Sequence, residues 1–282
     1  MNSNFYKIQC ITNLHMGSGD INYNVIDNEV ERDPVNNLPV MFSSGVKGAL
    51  RDHFRDQGAD TKKIKEIFGS DIIRKNGESS LPGKVRFLTA CIMFLPFRAA
   101  RGRYPYYLVT TKGILQQFST MYQSIMGKEF KDGFQSGLDR IKDNVAYGNK
   151  EVEVKLEDYA YNSIQPIPED IASVIKEFIP DQSRKQVLII PDQDFGGGNN
   201  RVLLPVLARN CLDKQGISIN LWYEEVVPHD AIFYLPILSN GTTDGDNALK
   251  DFNSFLLSKN NNLVQFGGNA TIGYGLTKVS LL

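Results

Sequence analysis

The sequence predicts an α+β fold built on antiparallel sheet and carrying insertions. Three observations lead there. Strand and helix patterns alternate along the 282 residues without regular βαβ spacing. Two alternating stretches around a turn signal read as a protruding hairpin. The chain closes on two short strands that flank a glycine-rich loop.

In order, residues 5–12 alternate as a first strand, and a long polar loop follows at 14–27. A connection of that length is uncommon unless it is functional or disordered. Ser43 and Ser44 are N-cap candidates for a helix over 45–56, where Lys47 and Arg51, four apart, share a face. Residues 61–68 read as a second helix that Gly69 stops. Residues 85–97 carry a strong strand signal. The stretch 110–126 sets Ile114, Leu115, Phe118, Met121, Tyr122 and Ile125 at helical spacing. Residues 127–180 are more charged and loosely patterned, which suggests a peripheral insertion holding a helix at 171–178. A strand at 186–191 leads to the glycine-containing run 194–201. The stretches 202–209 and 217–223 flank the turn signal Asp213-Lys214-Gln215-Gly216, so a hairpin is expected over about 195–220. A strand at 231–238 and a helix at 247–258 precede the closing glycine loop.

Composition narrows the function. With 31 basic and 32 acidic residues the formal net charge is −1, so nucleic-acid binding would need a local basic surface. Cys10, Cys91 and Cys211 are odd in number, far apart and without CxxC spacing, which argues for a reducing compartment and against zinc or disulfides. The N-terminus lacks a leader-like apolar segment and no long apolar run occurs. The expectation is therefore a cytoplasmic protein with no membrane partner. The chain has no GxxxxGK[ST], HExxH or GxSxG motif, and three histidines are too few for an all-histidine metal site.

The residues that could carry chemistry fall into three groups. The glycine loop contributes Gly267, Gly268, Asn269, Thr271, Gly273, Tyr274 and Gly275, a backbone able to turn several N–H groups toward one anion. Basic residues cluster at Lys47/Arg51 and at Arg98, Arg101 and Arg103 among tyrosines. A third group, Arg201, Arg209 and Lys214, lies on the hairpin. Such arrangements hold phosphates and stack bases, although solvated surface is the plainer reading. Asp27 could ligate a divalent cation or orient a hydroxyl, or close an Asx-turn. His15 could act as a base or contact phosphate, and Glu224 or Glu225 could act as an acid, a metal ligand or simply exposed charge.

One ordered series binds these pieces together: Leu14-His15-Met16-Gly17-Ser18-Gly19, Val25-Ile26-Asp27, Arg32-Asp33-Pro34, Leu38-Pro39-Val40, Ser43 to Arg51, and Gly267 to Gly275. It resembles the backbone-type (Cas seven-like) RAMP proteins of type III CRISPR systems. Residues 220–228 and 94–98 look most like the repeated backbone subunits of type III-B (Cmr) complexes. The resemblance spans nearly the whole chain and is weakest over 127–180. It implies one domain over 1–282, a ferredoxin-like (RRM-like) palm with an inserted fingers region and a thumb hairpin. It implies antiviral defense by a helical filament of copies along a crRNA guide, with other Cmr-type subunits. Target RNA would be cleaved beside each displaced nucleotide. On that resemblance Asp27 is the catalytic aspartate, working with Mg²⁺ or another divalent cation such as Mn²⁺. His15 is the loop histidine and Glu224 or Glu225 an auxiliary acid. Ser43, Ser44, Lys47, Arg51 and the glycine loop hold the guide. A non-catalytic crRNA-binding subunit is the alternative, and a metal-independent guide-processing ribonuclease using His15 is the third. The chain departs from the family's pattern at Met41-Phe42, where Pro-Gly is frequent, and at Thr89-Ala90, where an aspartate is usual.

Overall fold

A computed structural model describes residues 2–17, 19, 25–70, 81–149, 153–157, 159–179, 186–196, 201–258 and 262–282. In chain order the first half runs β1 (Ser3–Cys10), β2 (Val40–Met41), α1 (Ser43–Asp56), α2 (Thr61–Phe68), β3 (Val85–Phe87), β4 (Ala90–Arg101), β5 (Tyr106–Thr111), α3 (Lys112–Met126) and α4 (Phe134–Arg140). Then come β6 (Ala146–Gly148), β7 (Val154–Leu156), β8 (Tyr159–Tyr161), β9 (Ile164–Pro166), α5 (Glu169–Phe178), β10 (Val187–Ile190) and α6 (Asp192–Phe195). The last part holds β11 (Val206–Leu212), β12 (Ser218–Glu225), β13 (Ile232–Ser239), α7 (Thr243–Ser258), β14 (Leu263–Gln265) and β15 (Leu276–Leu281).

The centre of the sheet has the order β15-β1-β13-β4, all antiparallel. With α1 and α2 before β4 and α7 before β15, this is the β-α-β-β-α-β arrangement of a ferredoxin-like palm. Everything between β4 and β13 is inserted into it. β5, β10, β6 and β9 extend the sheet at one edge, while β11 and β12 pair only with each other.

Both faces of this sheet are covered, which is why β13 (IFYLPILS) is buried along its whole length instead of alternating. On β1, Tyr6 meets Phe252 of α7 at 6.0 Å, whereas Phe5 on the opposite face meets Tyr122 of α3 at 4.7 Å. One aromatic layer joins Phe54, Phe68 and Phe252 from α1, α2 and α7. The other gathers Phe118, Phe134, Phe178 and Tyr234. The segment expected as a peripheral insertion thus places Phe134 and Phe178, both fully buried, in this second layer.

Three expectations change. The tyrosine-rich basic stretch also holds a strand, β5, in which Tyr107 is buried and which runs straight into α3. Ser43 and Ser44 do not cap α1; they are its first two residues, after Phe42 with no side-chain cap. Instead the Phe42 N–H donates to Glu31 Oε2 at 2.8 Å. The 85–97 strand divides into β3 and β4. Residues 18, 20–24 and 197–200 of the expected functional loops lie outside the described residues.

Candidate functional site at the root of the hairpin

β11 and β12 pair from Val206↔Glu225 to Leu212↔Ser218, around the Asp213–Gly216 turn closed by Asp213 N–H to Ile217 O at 2.9 Å. Ile217, Ile219 and Leu221 stand exposed along the hairpin. At the root, the loop after β1 bridges the stem and its continuation twice and folds back on itself once. Leu14 bridges Val227, Gly17 bridges Val30, and Asn28 bridges Glu224. This lacing explains why a loop so polar can hold fixed positions.

Asp27 lies on that crossing, exposed to solvent. Its Oδ2 accepts the Tyr223 N–H at 2.8 Å, while its own N–H donates to Tyr223 O at 3.1 Å. An Asx-turn would bond a neighbour two residues on; Asp27 is pinned to the hairpin instead. His15, Glu224 and Glu225 stand beside it but face inward, at 8 %, 3 % and 2 % exposure. His15 Nδ1 is 2.8 Å from Glu225 O, and a carbonyl only accepts, so the Nδ1–H donates there. Its Nε2 then faces Glu224 Oε1 at 3.8 Å.

Neither glutamate is simply exposed at a strand end, as the plainer reading had it. Glu225 accepts from Arg32 Nη2 at 2.6 Å and from Val30 N–H at 3.1 Å, with Arg201 Nη2 at 3.6 Å. Glu224 accepts from Asn269 Nδ2 at 2.6 Å and Arg209 Nη1 at 3.3 Å. Buried charge is tolerable only when paired in this way. Burial pulls the Arg32 pKa down, and the adjoining Glu225 opposes that pull. Arg32, which sequence reasoning left off the site, is the Glu225 partner; its only signal was its place in the ordered series.

The glycine loop meets the same junction from the other side. The Gly268 N–H donates to His15 O at 3.0 Å, and the Gly275 N–H to Asn13 O at 2.8 Å. Gly267 (φ 71°) and Gly275 (φ 73°) are needed by the chain itself: a Cβ would lie 2.3 Å from His15 O and 1.9 Å from Phe266 O. Gly268 and Gly273 face open space, with the exposed Thr271 between them. Tyr274 is half-buried, its ring 5.7 Å from the Arg209 guanidinium.

The basic residues divide similarly. Arg51 Nη2 bonds the Phe68 and Gly69 carbonyls at 2.8 and 3.0 Å, closing the end of α2. Arg201 is paired with Glu29 at 3.0 Å. Arg98 is exposed on β4 and lines a cavity with Leu204, Pro205 and Pro228. Lys47, half-buried one turn into α1, has no ion pair among the described residues. Burial lowers its pKa and the neighbouring Arg51 charge adds to that.

Among the described residues no group of three His, Cys, Asp or Glu side chains could hold a metal ion. Mg²⁺ commonly takes one or two carboxylates, several waters and substrate phosphate oxygens. Exposed Asp27 fits that pattern; Glu224 and Glu225, buried and each already hydrogen-bonded at both oxygens, do not. Among the described residues no helix is long and apolar enough to cross a membrane.

A profile of the RAMP superfamily matches residues 7–278. The CRISPR system Cmr endoribonuclease Cmr4 of Pyrococcus furiosus is 28% identical, with 96% of this chain and 92% of that protein covered. The CRISPR system CMR subunit Cmr4 of Saccharolobus solfataricus is 24% identical, over 98% of this chain and 96% of the other. Two solved structures share the fold. Oligomeric Cmr4 from Pyrococcus furiosus gives a TM-score of 0.73 at 23% identity, covering 100% of this chain and 98% of that one. A chain of the type III-B Cmr-beta assembly bound to cognate target RNA gives 0.76 at 22% identity, covering 100% and 97%.

Proposed function

The chain belongs to the RAMP superfamily, and from that premise we propose that it is a repeated, crRNA-binding backbone subunit of a cytoplasmic type III-B CRISPR effector complex that cleaves target RNA. The names of its relatives support the complex and the ribonuclease activity, and the oligomeric relative supports assembly with copies of itself. The observation that carries the assignment of the cut is Asp27. It is an exposed carboxylate held by the backbone of the hairpin stem, beside buried carboxylates whose two oxygens each already accept from neighbouring donors.

In this reading Asp27 accepts the proton of a target 2′-hydroxyl and orients its oxygen toward the adjacent phosphorus. The 2′-O–P bond forms and the P–O5′ bond breaks, with a proton from solvent going to the departing oxygen. The ends left are a 2′,3′-cyclic phosphate and a 5′-hydroxyl. Asp27, alone among the three candidate acids, would hold a divalent cation such as Mg²⁺ or Mn²⁺, which stabilises charge on the phosphate. Lys47, Ser43, Ser44 and the open side of the glycine loop face phosphates without reading bases. His15, buried and bound at Nδ1, serves to hold the loop, which weighs against the guide-processing alternative.

The test is a reconstituted complex carrying a guide and an end-labelled complementary RNA. Cleavage at regular intervals, lost in EDTA and in Asp27→Asn, is expected. Persistence in EDTA removes the cation; persistence in the variant removes Asp27 and leaves the non-catalytic subunit.

A further inference from the structure

Arg209 occupies a position that phosphate binding does not explain. Its guanidinium lies over two rings, 5.8 Å from the centroid of Trp222 and 5.7 Å from that of Tyr274. Its Nη1 donates to Glu224 Oε2 at 3.3 Å. The other oxygen of that carboxylate accepts from Asn269 Nδ2 at 2.6 Å. Arg209 of β11 and Asn269 of the glycine loop therefore meet on one buried carboxylate of β12, and the Trp222 and Tyr274 rings lie against the arginine that reaches it.

The register gives this cluster a consequence. Arg209 stands directly opposite Trp222, and Trp222 and Glu224, two apart on β12, share one face. Cross-strand and diagonal partners of this kind fix the relative position of two strands. The residue between them is Tyr223, and its backbone N–H and C=O carry Asp27. Whatever holds residues 222 and 224 holds the peptide from which Asp27 hangs. Asn269 and Tyr274 extend that hold to the glycine loop.

We propose that Arg209, with Asn269, is a positioning residue: the Trp222–Arg209–Tyr274 stack and the doubly held Glu224 clamp the glycine loop to the hairpin stem and set the place of the Asp27 carboxylate. The proposal rests on the reading of Asp27 given above. It reassigns Arg209, Asn269 and Tyr274, expected to touch RNA, to a contact within the protein. It also gives Glu224 a holding role in place of an acid's. A guanidinium suits the task because it is planar, stacks on both rings and still donates to the carboxylate.

The test uses the assembled complex with its guide. Arg209→Gln loosens the clamp from the hairpin side and Asn269→Ala from the loop side. Each should slow single-turnover cleavage at saturating target by about 10- to 100-fold, the cost of roughly 1 Å of misplacement. Affinity for guide and target, and its salt dependence, should stay at wild-type values. The double variant should be little slower than either single one, because both act through Glu224. A phosphate contact behaves otherwise: losing Arg209 would weaken binding and reduce the salt slope by about 1 per subunit. That result, or wild-type cleavage in both variants, overturns the clamp. If Arg209→Gln fails to assemble, Asn269→Ala alone decides by the same two readouts. Asp27→Asn run alongside separates the failures. A dead Asp27→Asn with unaffected clamp variants sinks only the clamp, whereas an active Asp27→Asn sinks the reading beneath it.

Discussion

Replacing Asp27 by asparagine separates holding from chemistry. The carboxylate does two things that geometry can distinguish: Oδ2 accepts the Tyr223 N–H at 2.8 Å, and the side chain is exposed to whatever lies against the stem. Asparagine keeps an oxygen for that N–H, and the backbone bond to Tyr223 O is untouched. It cannot accept a proton from a hydroxyl, and it loses the charge that would hold a cation. A positioned proton acceptor contributes about 10²–10⁴-fold. At 1.36 kcal/mol per decade this is about 2.7–5.4 kcal/mol of barrier. The hydrogen bond itself is worth about 0.5–1.5 kcal/mol net. Asp27→Asn should therefore lose at least about 100-fold in single-turnover cleavage with unchanged target affinity and denaturation midpoint. Asp27→Ala should lose the same activity and also up to about 1.5 kcal/mol of stability. Cleavage by Asp27→Asn within about threefold of wild type would refute the assignment. A parallel fall in target affinity would move Asp27 from chemistry to binding.

Glu225→Ala strands Arg32 in a buried site, which costs about 3–5 kcal/mol, read as a lower urea midpoint. Gly275→Ala should destabilise strongly, because φ is 73° and the new methyl would sit 1.9 Å from Phe266 O; Gly268→Ala, with nothing within 4 Å, should leave the same denaturation curve unchanged. Lys47→Ala should lower guide affinity and its salt slope by about one ion per subunit, while Arg51→Ala should instead lower stability by freeing the α2 carbonyls. Alkaline pH provides a fifth check. Burial pushes the Tyr6 phenol from 10.0 up to about 12, so the unfolded chain loses that proton first. Stability from Tyr6 is complete below pH 10.0 and is lost as pH rises through about 12; Tyr6→Phe should flatten that fall in thermal midpoint.

Much of the fold was legible because its signals are local. Residues 61–68 have a helical period and a glycine stop, and α2 has those bounds, with Gly69 at φ 88°. The Asp213–Gly216 turn announced the hairpin, and the two strands around the glycine loop fell where the pattern put them. β5 was lost because its residues run into α3 without a break, so one apolar pattern masked two elements. Ser43 does not cap because α1 already begins at it, with Phe42 in the extended N-cap position and Glu31, on a distant turn of the loop, taking the Phe42 N–H. The site shows the same limit. Asp27, His15, Glu224 and Glu225 were visible as residue types, yet nothing nearby in sequence says that the glutamates are buried. Arg32 lies 193 positions from Glu225 and Asn269 lies 45 from Glu224.

That separation explains why the junction is ionic in a protein with so large an aromatic core. Three segments from opposite ends of the chain meet at the hairpin root. Apolar contacts are non-directional and would let β12 slide against its neighbours. A slip of one residue would turn Trp222 and Glu224 to the other face and move the Tyr223 peptide away from Asp27. Paired carboxylates with named donors forbid that slip, because each alternative register strands a buried charge. Their net contribution to stability is small, and their effect lies in the choice of geometry. Asp27 hangs from the Tyr223 peptide, so a fixed register is what keeps that exposed carboxylate at the hairpin root, and the ions at the root supply it.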